Sequence, residues 1–337
     1  MSKVVCFGEV LLRLSAPGKE LLMQSHAFAV HVGGAEANVA VGLAKLGNSA
    51  AVVSVLPANP LGFACAGELR RHGVDTTGIV YCEGRMGLYF LTHGAGHRPA
   101  EVLYDRAGSA FAVAPPDTLD WTSALQSAEW LHVSGITPAV SESGAQAALR
   151  AVQAAKEAGV KVSYDCNFRA RLWGHRTPQA PALLREICSY ATLIFGDDRD
   201  IAFMFGFDPQ NVSPEERRRL AVKEAFSAMK DLRWIAYTER TRHAADVQQL
   251  IGTLHDRESA YTTRPYALQG IVDRIGAGDA YAAGILHGLL NGKTPQQTVD
   301  FAAAAAVLKH SIPGDFNLVG VADVELLLSD VQADVRR

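Results

Sequence analysis

No stretch of this chain carries a Cys-x-x-Cys pair, a block of basic residues or an apolar run of membrane-spanning length. Each absence excludes something. The five cysteines, Cys6, Cys65, Cys82, Cys166 and Cys188, are odd in number and scattered. They make neither a disulfide framework nor a zinc ribbon, and suit small core positions in a reducing cytoplasm. With a net charge of −3 and no basic patch, a nucleic-acid partner has no electrostatic support. No run approaches the ~18 apolar residues of a membrane span. The opening "MSKVVCFGEVLLRLSAP" is interrupted by Glu9 and Arg13, unlike a signal peptide, so the expectation is a cytoplasmic protein without a membrane partner. The two best-known Gly-rich patterns are missing as well. A dinucleotide fingerprint beginning at Gly276 needs a glycine where Tyr281 stands, and no Gly-Lys-Ser/Thr run exists for a P-loop.

What the chain does have is length and order. Its 337 residues, 48% hydrophobic with 30 glycines, suffice for one large α/β domain with an accessory piece or for two modest domains. Short apolar strands, "KVVCFGEV", "AAVVSVL" (50–56), "EWLHVSGI", "VKVSYDCN" and "ATLIFGDD", alternate with helical segments. "AEANVAVGLAKLG" (35–47) carries Val39, Leu43 and Leu46 at helical spacing and stops at Gly47. "SESGAQAALRAVQAAKEAG" (141–159) opens on a serine cap, and "SPEE" (213–216) and "TPQQ" (294–297) read as capping boxes with proline at the first helical position. This alternation predicts a mostly parallel sheet with helices on both faces. Residues 84–106 break it: they read as two strands around a Gly/His/Pro loop. With residues 11–31 they are expected to form a small inserted sheet, a lid or a surface for homo-oligomers.

Polar clusters fall where parallel strands should end, the usual place for a ligand in such a sheet. They are "GGAEAN" (33–38), "DCNFRARLW" (165–173) and "GDDRD" (196–200). The fourth cluster places Gly276, Ala277, Gly278 and Asp279 before a small-residue helix. A helix start offers unpaired N–H groups and partial positive charge to an anion. Asp279 is the odd element, because it would repel a phosphate; an acidic residue near a helix cap is also common without any such role.

Taken together, "GGAEANVAVGLAKLG" and "DRIGAGDAYAAGI" resemble the two signatures of ribokinase-like (PfkB) sugar kinases. Within that family, "GLYF", "VLYDRAGSA", "VSGI", "CNFRARLW" and "IPGDFN" are similar to 2-keto-3-deoxygluconate kinases, in the family's order along nearly the whole chain. The resemblance implies a Rossmann-like α/β domain over 1–337 with a β-sheet lid from 11–31 and 84–106, and ATP-dependent phosphorylation of a sugar hydroxyl to the 6-phosphate. By the same resemblance Gly276, Ala277 and Gly278 form an anion hole for the transferred phosphoryl group, and Asp279 accepts the hydroxyl proton. Near a helix N-terminus that carboxylate is expected to stay ionised at neutral pH.

Arg106 and Arg169 match the arginines that acid-sugar kinases use for a carboxylate, which suits a guanidinium fork. The resemblance assigns Tyr89 and Tyr104 to the sugar from the lid, and Gly34, Asn38 and Asp315 to its hydroxyl-bearing part. Asn167, Thr238 and Arg240 fall on the ATP side. Two motifs depart from the family. The acidic motif tied to Mg²⁺ reads Asp197-Asp198-Arg199-Asp200 rather than starting with Asn and ending with Glu, so Asp197 and Asp200 are expected to act through water. The nucleotide loop, expected at 237–252, has Arg240 where a glycine is usual; its guanidinium either reaches the ATP phosphates, or points to solvent or pairs with Glu239 or Asp246. A kinase of a neutral sugar (fructose or ribose) and a non-catalytic sugar-acid sensor are the rival readings.

Overall fold

The structure, a computed structural model, describes residues 3–329; the ends of the expected 1–337 domain lie outside the described residues. Fourteen strands occur among them: β1 Lys3–Phe7, β2 Leu11–Ser15, β3 Ala29–Gly33, β4 Ser49–Pro57, β5 Ile79–Cys82, β6 Gly87–Thr92 and β7 Glu101–Asp105. The rest are β8 Ala128–Ser134, β9 Lys161–Asp165, β10 Ala191–Phe195, β11 Trp234–Arg242, β12 Val247–His255, β13 Ala260–Thr262 and β14 Tyr266–Gln269.

Ten of these form one sheet in the order β13-β12-β11-β10-β9-β8-β1-β4-β5, with β14 also on β12. From β5 to β11 the pairings are parallel, and β12, β13 and β14 add an antiparallel edge. Parallel strands must bury both faces under helices, which explains why Val4, Val5, Cys6 and Phe7 are all buried regardless of side. Four of the five cysteines serve as core residues, with Cys82 half-buried, and none is bridged. From β1 the chain moves outward through β4 to β5, then returns to β8 on the other side and continues to β11. The crevice at such a reversal, beyond the carboxyl ends of the strands, is where an open sheet takes its ligand.

The remaining four strands make a separate small sheet, β3-β2-β6-β7. Its register aligns His31, Arg13, Tyr89 and Tyr104 in one transverse row and Val30, Leu14, Phe90 and Leu103 in the next. Paired residues share a face and neighbouring rows alternate. The first row turns inward, with Arg13 and Tyr89 buried, and the second turns outward, with Val30 57% and Leu103 58% exposed.

Helix starts follow the capping residues. Ser141 caps Glu142–Glu157, and Thr294 and Gln297 form a reciprocal box at Pro295–Lys309. At 213–216 only half of the expected box forms: Ser213 accepts from the Glu216 N–H, but the Glu216 carboxylate is held by Arg219 at 2.7 and 2.6 Å. The expected nucleotide loop at 237–252 is not a loop. β11 and β12 pair antiparallel across it, Thr238 opposite Gly252 and Arg240 opposite Leu250. Without the glycine that would turn the chain early, the strand runs on to Arg242.

Candidate active site

A cavity of about 1020 Å³ lies between the strand ends and the small sheet. At its floor stands the helix Ala277–Leu290. Gly276 precedes it at φ 81°, a left-handed conformation, and a Cβ there would lie 1.9 Å from the Asp315 carbonyl oxygen. Only glycine meets both conditions. Gly34 precedes the helix Ala35–Lys45 in the same way: its φ is 138°, and a Cβ would meet the Glu9 carbonyl at 2.3 Å. Two glycine-led helix starts thus converge on one cavity, whose lining includes Gly34, Gly276 and Gly278. Ala277 is buried behind it.

Asp279 sits in the first turn of its helix and lines the cavity. Asn38, from the other helix start, donates its Nδ2 to Asp279 Oδ2 at 2.6 Å. The Asn38 Oδ1 is buried with no partner, an acceptor aimed at a donor the protein does not supply. The expectation that the helix end keeps Asp279 fully ionised is corrected. Desolvation pushes its pKa up to about 7; the Asn38 hydrogen bond opposes this, Glu36 and Asp315 reinforce it, and Arg169 opposes it. Loss of water outweighs the partial charge of one helix end. A carboxylate poised near neutrality is what general base catalysis asks for.

Asp165, at the carboxyl end of β9, also lines the cavity. Burial and then Asp279 push its carboxyl up, against Arg169. In the sequence Asp165 is visible as a residue after a strand, but nothing there tells it apart from loop acids. Asn167 lines the same wall at φ 30°, a left-handed conformation that asparagine tolerates better than most residues.

On the lid side Tyr89, Tyr104 and Arg106 all line the cavity. Tyr89 and Arg106 are also held from within the protein. Tyr89 donates to Asp315 Oδ2 at 2.6 Å, while Asp315 Oδ1 pairs with Arg13 Nη1 at 3.0 Å. Arg13 also holds Asp273 Oδ2 at 2.6 Å. Asp315 and Tyr89 thus line the cavity while tied to a buried ionic network. Arg106 Nε donates to Glu9 Oε2 at 2.6 Å, which fixes the guanidinium while its edge faces the cavity. Arg169 forms no ion pair among the described residues. Glu9, Arg13 and Asp273 are functional-site neighbours that sequence reasoning missed. For Glu9 and Arg13 the signal was there, two charges inside an otherwise apolar N-terminal run; Asp273 had none of that kind.

The ATP side divides. Arg240 lines the cavity and donates Nη1 to His310 Nε2 at 3.1 Å. His310 Nδ1 lies 2.7 Å from the Ala306 carbonyl, so the imidazole is neutral, donating from Nδ1 and accepting at Nε2. Neither alternative partner holds Arg240: Glu239 pairs with Arg218 at 3.0 Å and Asp246 with Lys19 at 3.7 Å. Arg274 lines the cavity too. Thr238 lies on β11 outside the cavity lining. Asp197 and Asp200 also lie outside it. They cap the helix Asp198–Phe205, Asp197 Oδ1 accepting from the Arg199 N–H at 2.9 Å and Asp200 Oδ2 from the Asp197 N–H at 3.0 Å. Asp197 Oδ2 takes Arg199 Nε at 3.0 Å. Among the described residues no group of three His, Cys, Asp or Glu side chains could hold a metal, and both Asp197 carboxylate oxygens are engaged as cap and ion pair.

A Rossmann-like sheet, a small sheet over its strand ends, and a carboxylate at a glycine-led helix start define a ribokinase-like sugar kinase. The pattern of the pfkB family of carbohydrate kinases matches residues 1–316, and the chain belongs to that family. It is 32% identical over 340 residues to the 2-dehydro-3-deoxygalactonokinase of Haloferax volcanii, covering 100% of this chain and 99% of that one. Its fold matches the crystal structure of 2-dehydro-3-deoxygluconokinase from Thermotoga maritima with a TM-score of 0.92 at 38% identity, over 98% of this chain and 100% of that one. A PfkB family carbohydrate kinase from Listeria grayi matches with a TM-score of 0.92 at 35% identity, over 98% and 100% of the two chains. Among the described residues no helix is long and apolar enough to cross a membrane.

Proposed function

We propose that this protein transfers the γ-phosphoryl group of ATP to the 6-hydroxyl of 2-keto-3-deoxygluconate, as a cytoplasmic enzyme. The observation that carries this reading is the placing of Asp279, held by Asn38, in one cavity with two arginines fit for a carboxylate. Asp279 takes the hydroxyl proton as the oxygen attacks phosphorus, and the bond to ADP breaks. The N–H groups of the Gly276–Gly278 turn face the charge developing on the phosphoryl oxygens. Asn38 Oδ1 accepts from a sugar hydroxyl, and Arg169 and Arg106 take the carboxylate, with Tyr104 beside them. Arg240 faces the ATP phosphates, its guanidinium oriented by neutral His310. Mg²⁺ bound with ATP would supply positive charge on its phosphates while keeping most of its waters.

The two sugar acids named by the relatives above differ, so the epimer is a separate question. A kcat/KM panel of 2-keto-3-deoxygluconate, 2-keto-3-deoxygalactonate, fructose and ribose tests the reading. The acids should exceed the neutral sugars by about 10²-fold, the value of a charge-assisted contact. Comparable use of fructose or ribose would refute it.

The small sheet's outer row, Val30, Leu14, Phe90 and Leu103, is the surface on which two copies of the chain pair in this reading. An exposed apolar row on a sheet with free edges suits a symmetric contact.

A further inference from the structure

Lys309 is 0% exposed, and no other lysine among the described residues is buried. It ends the helix Pro295–Lys309, which delivers it beneath the Gly276 turn: a Cβ on Gly276 would lie 3.4 Å from Lys309 Cε. Its Nζ donates to the Ile312 carbonyl at 2.9 Å. One hydrogen bond does not replace the water of an ammonium, so surrounding negative charge must compensate. Burial, the largest effect, lowers the Lys309 pKa from the ordinary lysine value; Asp273, Asp315 and Asp279 resist this and Arg13 adds to it, and His31 and His310 also face Lys309. From the other direction, Asp279 is faced by Glu36, Asp165 and Asp315, which disfavour its charge, and by Arg169, which favours it. The phosphoryl transfer described above makes no use of Lys309.

We propose that Lys309 is a positioning residue, a fixed internal cation beneath the Gly276–Asp279 turn that holds the turn's N–H groups toward the transferred phosphoryl group and keeps Asp279 ionised. The inference rests on the reading of Asp279 as the base. It uses a charge that the protein carries into its interior at the one place where negative charge must develop during transfer.

The test uses the full-length enzyme. Lys309→Met should lower kcat by about 10²-fold while KM for the sugar acid stays within about threefold. Loss of a neighbouring cation raises a carboxylate's pKa, so the acid limb of kcat/KM should move to higher pH. Lys309→Ala should regain activity with methylammonium or ethylammonium, which fit the vacated space, and not with tetramethylammonium. A folded Lys309→Met enzyme with wild-type kcat and an unmoved acid limb overturns the proposal. So does a loss of kcat with no pH shift and no amine rescue, since that marks a merely structural lysine. Should neither variant fold, ¹³Cε-lysine NMR of the wild type decides. A buried lysine signal charged from about pH 6 to about pH 9 supports the assignment, and a neutral amine at pH 7 ends it. Asp279→Asn separates the two readings. If it stays active the base reading fails; if it is inactive while Lys309→Met is normal, only the Lys309 assignment fails.

Discussion

At Asp279 the chemistry narrows to one proton. Asp279→Asn keeps the shape and the Asn38 contact but accepts no proton, so kcat should fall by about 10²-fold or more with little change in KM. In the wild type, kcat/KM should rise with pH through about 7, the value to which burial pushes this carboxyl. The same shift has a consequence for stability. The folded pKa lies above the unfolded one, so the contribution is full below the unfolded pKa and is lost as pH rises through about 7. Asp279→Asn should therefore raise Tm relative to wild type more at pH 8 than at pH 5; an equal change at both would show that Asp279 is not desolvated. Arg169 belongs to this scale too. Arg169→Ala should reduce kcat/KM for the acid sugar roughly 10- to 100-fold and leave a neutral analogue nearly unaffected. The position of Asp279 at a helix start was legible, because glycines and small residues mark such a start. Its raised pKa was not, because it comes first from desolvation by the packed fold and then from the like charges of Glu36, Asp165 and Asp315, which other elements bring in.

Among the elements, the glycine-led starts are the least replaceable. Gly276→Ala puts a Cβ at 1.9 Å from the Asp315 carbonyl and holds alanine at φ 81°. It should cost about 2 kcal/mol or more and reduce kcat with it, measured by denaturant unfolding alongside kinetics. Thr294→Ala is the contrast: it removes the cap of the helix Pro295–Lys309 at a residue outside the cavity lining, should cost about 1 kcal/mol, and should leave kcat unchanged. Strand and helix order was readable from apolar runs and caps. The half-formed box at Ser213 was not, since Arg219 competes for Glu216. Nor was the β11–β12 hairpin. Thr-Glu-Arg in place of a glycine turn lets the strand continue, and alternation alone does not reveal where pairing stops.

The whole molecule depends on pairings far apart in sequence. Arg13 meets Asp273 and Asp315, Glu9 meets Arg106, and Asn38 meets Asp279. Local pattern carries no information on such pairs, so the missed residues are those whose partners lie in another element. Predicting the class of site required only the motifs; predicting which side chains hold one another required the fold. At this scale the outer row of the small sheet gives a further test. If that row pairs two copies as proposed, the wild type should sediment as a dimer and Leu103→Asp, at a position 58% exposed, as a folded monomer; a wild-type monomer would refute the pairing.

In the proposed reaction this chain moves phosphate from ATP to the 6-hydroxyl of a keto-deoxy sugar acid. ³¹P NMR of a reaction containing the enzyme, Mg²⁺-ATP and 2-keto-3-deoxygluconate measures it directly. Transfer to the sugar gives ADP and a phosphomonoester split by the C6 protons in equal amounts, with no inorganic phosphate. ADP with inorganic phosphate alone, or no turnover of ATP at all, would contradict it.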